Sequence, residues 1–174
     1  MSRRRRIGVT IQDKPAATAA EVASPPRRQA ILLVDDEVDI LESLKQLLEV
    51  SLKDVKVHTA EGGQTALGIL KSETIDLIIT DYKMPGMNGL EFLGEARRLA
   101  PSIPRILVTA FPDLELAIKA VNDAKIENFF TKPVEPGKVV DVVRTVLSER
   151  RAKEMRDQSF ARSLDTLRRQ AKKT

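Results

Sequence analysis

The run Ile31-Leu32-Leu33-Val34-Asp35-Asp36-Glu37 decides how the chain is read. Aliphatic residues in succession, without the alternation of a half-exposed strand, suit a strand buried on both faces of a parallel sheet. The acidic residues that follow end it at the sheet's edge. Glu37 to Val50 then sets Val38, Leu41, Leu44, Leu47 and Leu48 on one stripe, the pattern of an amphipathic helix.

The same alternation continues outward. Val55 to Thr59 reads as a strand and Thr65 to Lys71, after Gly62-Gly63, as a helix. Ile75 to Thr80 is a third strand, followed by Asp81 and the turn formers Pro85-Gly86 and Asn88-Gly89. Leu90 to Leu99 is helical and Pro104 to Thr109 a strand, with proline at its start where a missing N–H is tolerated. Leu114 to Val121 is helical, Glu127 to Thr131 a short fifth strand, and a last helix begins near Glu135. Five strands alternating with five helices predict an α/β fold with a parallel sheet wrapped on both faces by right-handed crossovers.

The composition narrows the chemistry. Among 174 residues there is no cysteine and only one histidine, His58, which rules out disulfides, thiol catalysis, cysteine-bound metals and a histidine metal cluster. No apolar run approaches the roughly 20 residues of a membrane-spanning helix. A soluble protein is expected, with any metal held by oxygen.

Ligands of such sheets bind beyond the carboxyl ends of the strands, where strand order reverses. The residues predicted there are Asp35 and Asp36, Asp81, Thr109 and Lys132. Carboxylates crowded on one rim need a cation, and hard oxygen ligands that leave sites for water suit magnesium. A metal, a lysine and a hydroxyl beside a carboxylate nucleophile are the parts of phosphoryl transfer. Taken singly, each residue has an ordinary reading: Asp35-Asp36 as a helix cap, Asp81 as a turn acid, Thr109 as a strand-end hydroxyl, Lys132 as a solvated cation, Phe129 as core and His58 as a half-exposed strand residue. Together they fall on separate segments at one rim.

Four runs, Leu33 to Glu37, Thr80 to Gly89, Thr109-Ala110 and Phe130 to Pro133, resemble the receiver domain of two-component response regulators. The resemblance covers about residues 30 to 148 and fills every diagnostic position in order. It implies a flavodoxin-like doubly wound five-stranded sheet of order 2-1-3-4-5, and a signalling switch in place of a turnover enzyme. It implies that Asp81 accepts a phosphoryl group from a histidine kinase or phosphotransfer protein. Asp35, Asp36, Asp81 and the backbone carbonyl of Lys83 would bind Mg2+, Asp35 directly or through water. Lys132 and Thr109 would hold phosphoryl oxygens, Thr109 and Phe129 would form the switch, and Lys132-Pro133 would be cis. Lys83 and Phe111 flank the acceptor and would govern how water reaches it.

The rest of the chain is basic. Residues 1–30 carry seven Lys/Arg against two acids, residues 31–147 thirteen against nineteen, and residues 148–174 nine against four. Residues 1–29, with Arg3 to Arg6 and Pro25-Pro26, are expected to form a disordered basic tail. Nothing resembling an export signal follows the arginines, so a cytoplasmic location is expected. Residues 149–174, too few for an output domain, are expected to form a basic helical extension: nothing after Gly137 is Gly or Pro, so the last helix can run to about Lys172. Its 3-4 spacing of Phe160, Leu164, Leu167 and Ala171 suits a homodimer seam or a docking helix for a downstream protein, either in one long helix or in a second short segment. An alternative is a phospho-regulated nucleic-acid binder whose Arg150, Arg151, Arg168, Arg169, Lys172 and Lys173 contact phosphates. No recognition-helix motif accompanies those cations. A magnesium phosphohydrolase passing through an aspartyl phosphate would share much of the chemistry.

Overall fold

Both faces of each central strand are apolar in this chain, so helices have to cover both sides of the sheet. The protein, described by a computed structural model over residues 27–110, 122 and 124–171, meets that requirement. In chain order the elements are β1 (Gln29–Asp35), α1 (Val38–Ser51), β2 (Val55–Glu61), α2 (Gly63–Ser72), β3 (Leu77–Asp81), α3 (Gly89–Leu99), β4 (Arg105–Thr109), β5 (Asn128–Thr131) and α4 (Pro136–Ala171). The strands form one parallel sheet of order β2-β1-β3-β4-β5, the expected doubly wound arrangement. Four helices are described where five were expected. The one read over Leu114 to Val121 lies outside the described residues, as do Phe111, Lys172, Lys173 and residues 1–26.

The pleat divides each strand between two cores. Ile31, Leu33, Leu77, Ile79, Ile106 and Val108 face α1 and α4, where they meet Leu41, Leu48, Val139 and Val143. Leu32, Val34, Ile78 and Leu107 face α2 and α3, where they meet Ala66, Phe92, Leu93 and Ala96. Each Leu or Ile so enclosed contributes about 1.5–3 kcal/mol.

Two expectations shift. Asn88-Gly89, read as a turn, opens α3: the Asn88 side chain accepts from the Glu91 N–H, and the Glu91 carboxylate accepts from the Asn88 N–H. This is a capping box, which satisfies two amides that a turn reading leaves unpaired. The first strand also begins one residue before residue 30. Gln29 opens β1, and Arg27 is bound to Asp76 by 2.6 and 2.7 Å contacts.

The last helix is one uninterrupted element of 36 residues, about 54 Å at 1.5 Å per residue. Proline at its first position fits there because the missing N–H would be unpaired anyway. Among the described residues no helix is long and apolar enough to cross a membrane.

Candidate functional site

Strand order reverses between β1 and β3, because β1 lies between β2 and β3 while the chain continues on to β4. Val34 pairs with Thr80, so the next residues, Asp35 and Asp81, end neighbouring strands side by side. Both carboxylates are buried, 5% and 7% exposed. Two buried like charges at that spacing require a counter-charge, which Lys132 supplies: its Nζ lies 2.7 Å from Asp81 Oδ1 and 3.2 Å from Asp35 Oδ2.

Burial by itself would lower the Lys132 pKa. The hydrogen bond and charge of Asp81, together with those of Asp35, outweigh it, and the ammonium is held above its ordinary value. The remaining carboxylate oxygens are bonded by backbone. The Lys83 N–H donates to Asp81 Oδ2 at 2.6 Å and the Glu37 N–H to Asp35 Oδ1 at 3.0 Å.

Lys132 is placed by the end of β5. Its N–H donates to the Thr109 carbonyl at 2.8 Å, and Thr109 pairs with Thr131 across the strands. Thr109 is 1% exposed at the end of β4. The Lys132-Pro133 peptide is cis, as the resemblance implied. Phe129 packs half-buried on the α2/α3 side of the sheet, against the cluster that holds Phe92 and Leu107, whereas Phe130 enters the opposite core.

The structure therefore gathers Asp35, Asp81 and Lys132, with Thr109 joined to them through Lys132. Asp36 is exposed and, among the described residues, takes part in none of these pairs. Neither Asp35 nor Asp36 caps α1, whose N-cap is Glu37 without a side-chain bond. No three Asp, Glu or His side chains among the described residues stand close enough to form a metal centre by themselves; the two buried acids share the ammonium of Lys132. The donor set still fits a hard cation: Asp35 and Asp81 are oxygen donors within reach of one atom, and the exposed Asp36 follows Asp35 in the chain.

Two contributors went unread in the sequence. Thr80 is fully buried, and its hydroxyl donates to the Asp81 carbonyl at 3.0 Å. A Cβ on Gly89 would stand 2.1 Å from that same carbonyl oxygen, so only glycine lets α3 approach the end of β3 so closely. Gly89 was read as a turn residue, and only the contact across the loop reveals its second task.

A cleft of about 590 Å3 opens from this rim between α1 and α4, with Leu33, Leu44, Ile79 and Val139 in its walls and Asp35, Asp81 and Lys132 at its end. At the opposite end of the sheet Arg150, read as a possible phosphate contact, is turned inward onto Asp76.

Residues 31–144 match the family of the response regulator receiver domain. The chain belongs to that family. This receiver is 33% identical over 118 residues to the hydrogenase transcriptional regulatory protein HoxA of Cupriavidus necator, covering 68% of this chain and 24% of that one. It is 35% identical over 122 residues to the response regulator protein PilR of Pseudomonas aeruginosa, covering 69% and 26%. Among solved structures it resembles the signal receiver domain of an HD domain-containing protein from Pseudomonas fluorescens (TM-score 0.68, 35% identity, 72% of this chain and 99% of that one). It also resembles a CheY-like receiver from Methanospirillum hungatei (TM-score 0.67, 32% identity, 72% and 98%). The receiver spans about a quarter of the length of the two curated relatives. It is a response regulator receiver of two-component systems, a class of signalling domain that works with histidine kinases or phosphotransfer proteins.

Proposed function

We propose that Asp81 accepts a phosphoryl group from the phosphohistidine of a kinase or phosphotransfer protein in the cytoplasm, and that the acyl phosphate switches contacts with a downstream protein. The observation that supports this most directly is the single ammonium of Lys132 bridging Asp81 and Asp35 at the reversal point of the sheet. One Asp81 oxygen attacks phosphorus, the N–P bond breaks, and its electron pair stays on the imidazole nitrogen, which takes up a proton. Lys132 exchanges its contact with Asp81 for one with a phosphoryl oxygen. The Thr109 hydroxyl donates to another, drawing the end of β4 toward the new charge of about −1.5 to −2. Phe129 turns inward as the end of β4 moves. The result is a population shift between two packings of the β4–β5 region.

Asp35, Asp36, Asp81 and the Lys83 carbonyl would hold Mg2+. When bound, the ion supplies the charge neutralisation that lets a phosphoryl dianion approach buried carboxylates. The same residues would return the acyl phosphate to water slowly, without multiple turnovers on phosphate esters.

Incubation with a small phosphodonor and Mg2+, read by intact mass, tests the acceptor. The parent chain gains one phosphoryl group and Asp81→Asn gains none. An adduct on Asp81→Asn at the parental level would remove the assignment.

A further inference from the structure

At the entrance to β3, the end of the strand away from Asp81, lies a second buried acid that plays no part in the site above. Asp76 is 0% exposed. Arg27 donates to both of its oxygens, at 2.6 and 2.7 Å. Arg150 Nε donates to Oδ1 at 3.1 Å and the Ala30 N–H to Oδ2 at 2.8 Å. A carboxylate without water has to be fully partnered, and this one is. Burial works to raise its pKa, but the bonds from Arg27, Ala30 and Arg150 prevail and hold it below the ordinary carboxylate range.

The more informative partner is Arg150. Its Nη1 donates to the Ser102 carbonyl at 2.7 Å and its Nη2 pairs with Glu154 at 3.2 Å. All three guanidinium nitrogens are therefore engaged, in three directions, by β3's entrance, the α3–β4 loop and the next turn of α4. A planar fork held this way has little rotameric freedom left. Arg27, Arg150, Asp76 and Glu154 together carry no net charge.

The position of Arg150 in the helix gives this cluster a role. Val146 and Leu147 are the last buried residues of α4, and beyond Glu154 every described residue of the helix is exposed. Arg150 thus sits where the helix leaves the body. We infer that Asp76 and Arg150 form a clamp that fixes the direction of the exposed arm Met155–Ala171, making it a rigid extension of the receiver and a lever pinned at the end of the sheet opposite the phosphorylation site. The helix starts at Pro136, shortly after Lys132, and is longer beyond the pin than before it. A displacement at the β5–α4 junction then reaches the tip as a larger swing. The clamp stands independently of phosphoryl chemistry, and only the swing rests on Asp81 being the acceptor.

The chain has no cysteine, so spin labels at Gln46→Cys on α1 and Gln170→Cys on the arm are unambiguous. Pulsed electron resonance on the full chain should give one narrow distance distribution. Arg150→Met, which keeps length and helix propensity, should broaden it, and Arg150→Lys should fall between, with helix content by circular dichroism unchanged in both. A distribution equally narrow in all three chains, or equally broad, overturns the clamp, as does broadening accompanied by lost helix. With phosphodonor and Mg2+ the parent distance should shift. An unchanged distance on a chain whose mass shows the phosphoryl group ends the lever, whereas a missing adduct counts against the Asp81 assignment and leaves the clamp intact.

Discussion

Lys132 has one duty in the structure and a second in the proposed reaction, and its substitution tests both. In the unphosphorylated receiver its ammonium neutralises Asp35 and Asp81. In the proposed reaction it follows the charge onto the phosphoryl group. Lys132→Met leaves two buried carboxylates facing each other, so phosphorylation by a small donor should slow by about 10²-fold or more, the usual effect of removing one electrostatic stabiliser. Quench-and-mass time courses would show it, and a parental rate would contradict the role. This residue was legible in the sequence because an acid, a hydroxyl and a lysine ended three separate predicted strands. Asp76 was not, although an acid within the apolar run Ile75 to Thr80 was the available signal: a charge at a core position is paired or absent. Its partners Arg27 and Arg150 lie 49 and 74 positions away, and no local pattern links them.

Among the elements, α3 shows how backbone proximity constrains the site. Its capping box fixes the first turn, and the Gly89 N–H donates to the Tyr82 carbonyl at 2.8 Å, holding the helix start against the end of β3. Gly89→Ala places a methyl group against the Asp81 carbonyl oxygen, so α3 or the end of β3 has to move. The expected cost is about 1–3 kcal/mol by denaturant unfolding, as for other overpacked positions, together with slower phosphoryl uptake. Stability and uptake both at parental levels would show that the helix yields without disturbing the site. Element order and parallel topology were readable because each central strand is apolar on both faces and each helix has one apolar stripe. The boundaries drifted by a residue or two, since terminal residues such as Asp81 and Glu61 continue a strand ladder on backbone pairing alone, whatever their side chains.

For the molecule as a whole, three buried or half-buried charges shape stability against pH. His58 on β2 is held below its ordinary pKa, chiefly by burial and then by Lys56, with Glu73 opposing. The unfolded chain therefore takes up a proton that the fold resists, and stability declines as pH falls through about 6.5. Asp76, held low, contributes stability above about 3.9 that is lost as pH drops through its folded value. Lys132, held high, contributes stability that is complete below about 10.4 and is lost at higher pH. Urea midpoints across pH should show a shallow acid shoulder that vanishes in His58→Gln and a steeper fall below pH 4 that does not. A shoulder persisting in His58→Gln would assign it elsewhere.

The continuous final helix has a further consequence. A lone peptide of the arm's size is marginal as a helix in water, because starting a helix costs more than extending one. The exposed turns are templated by the packed turns before them. Excised, residues 155–171 should be mostly coil, so any protein that grips them fully folded meets them already paid for in entropy by the domain they grow from.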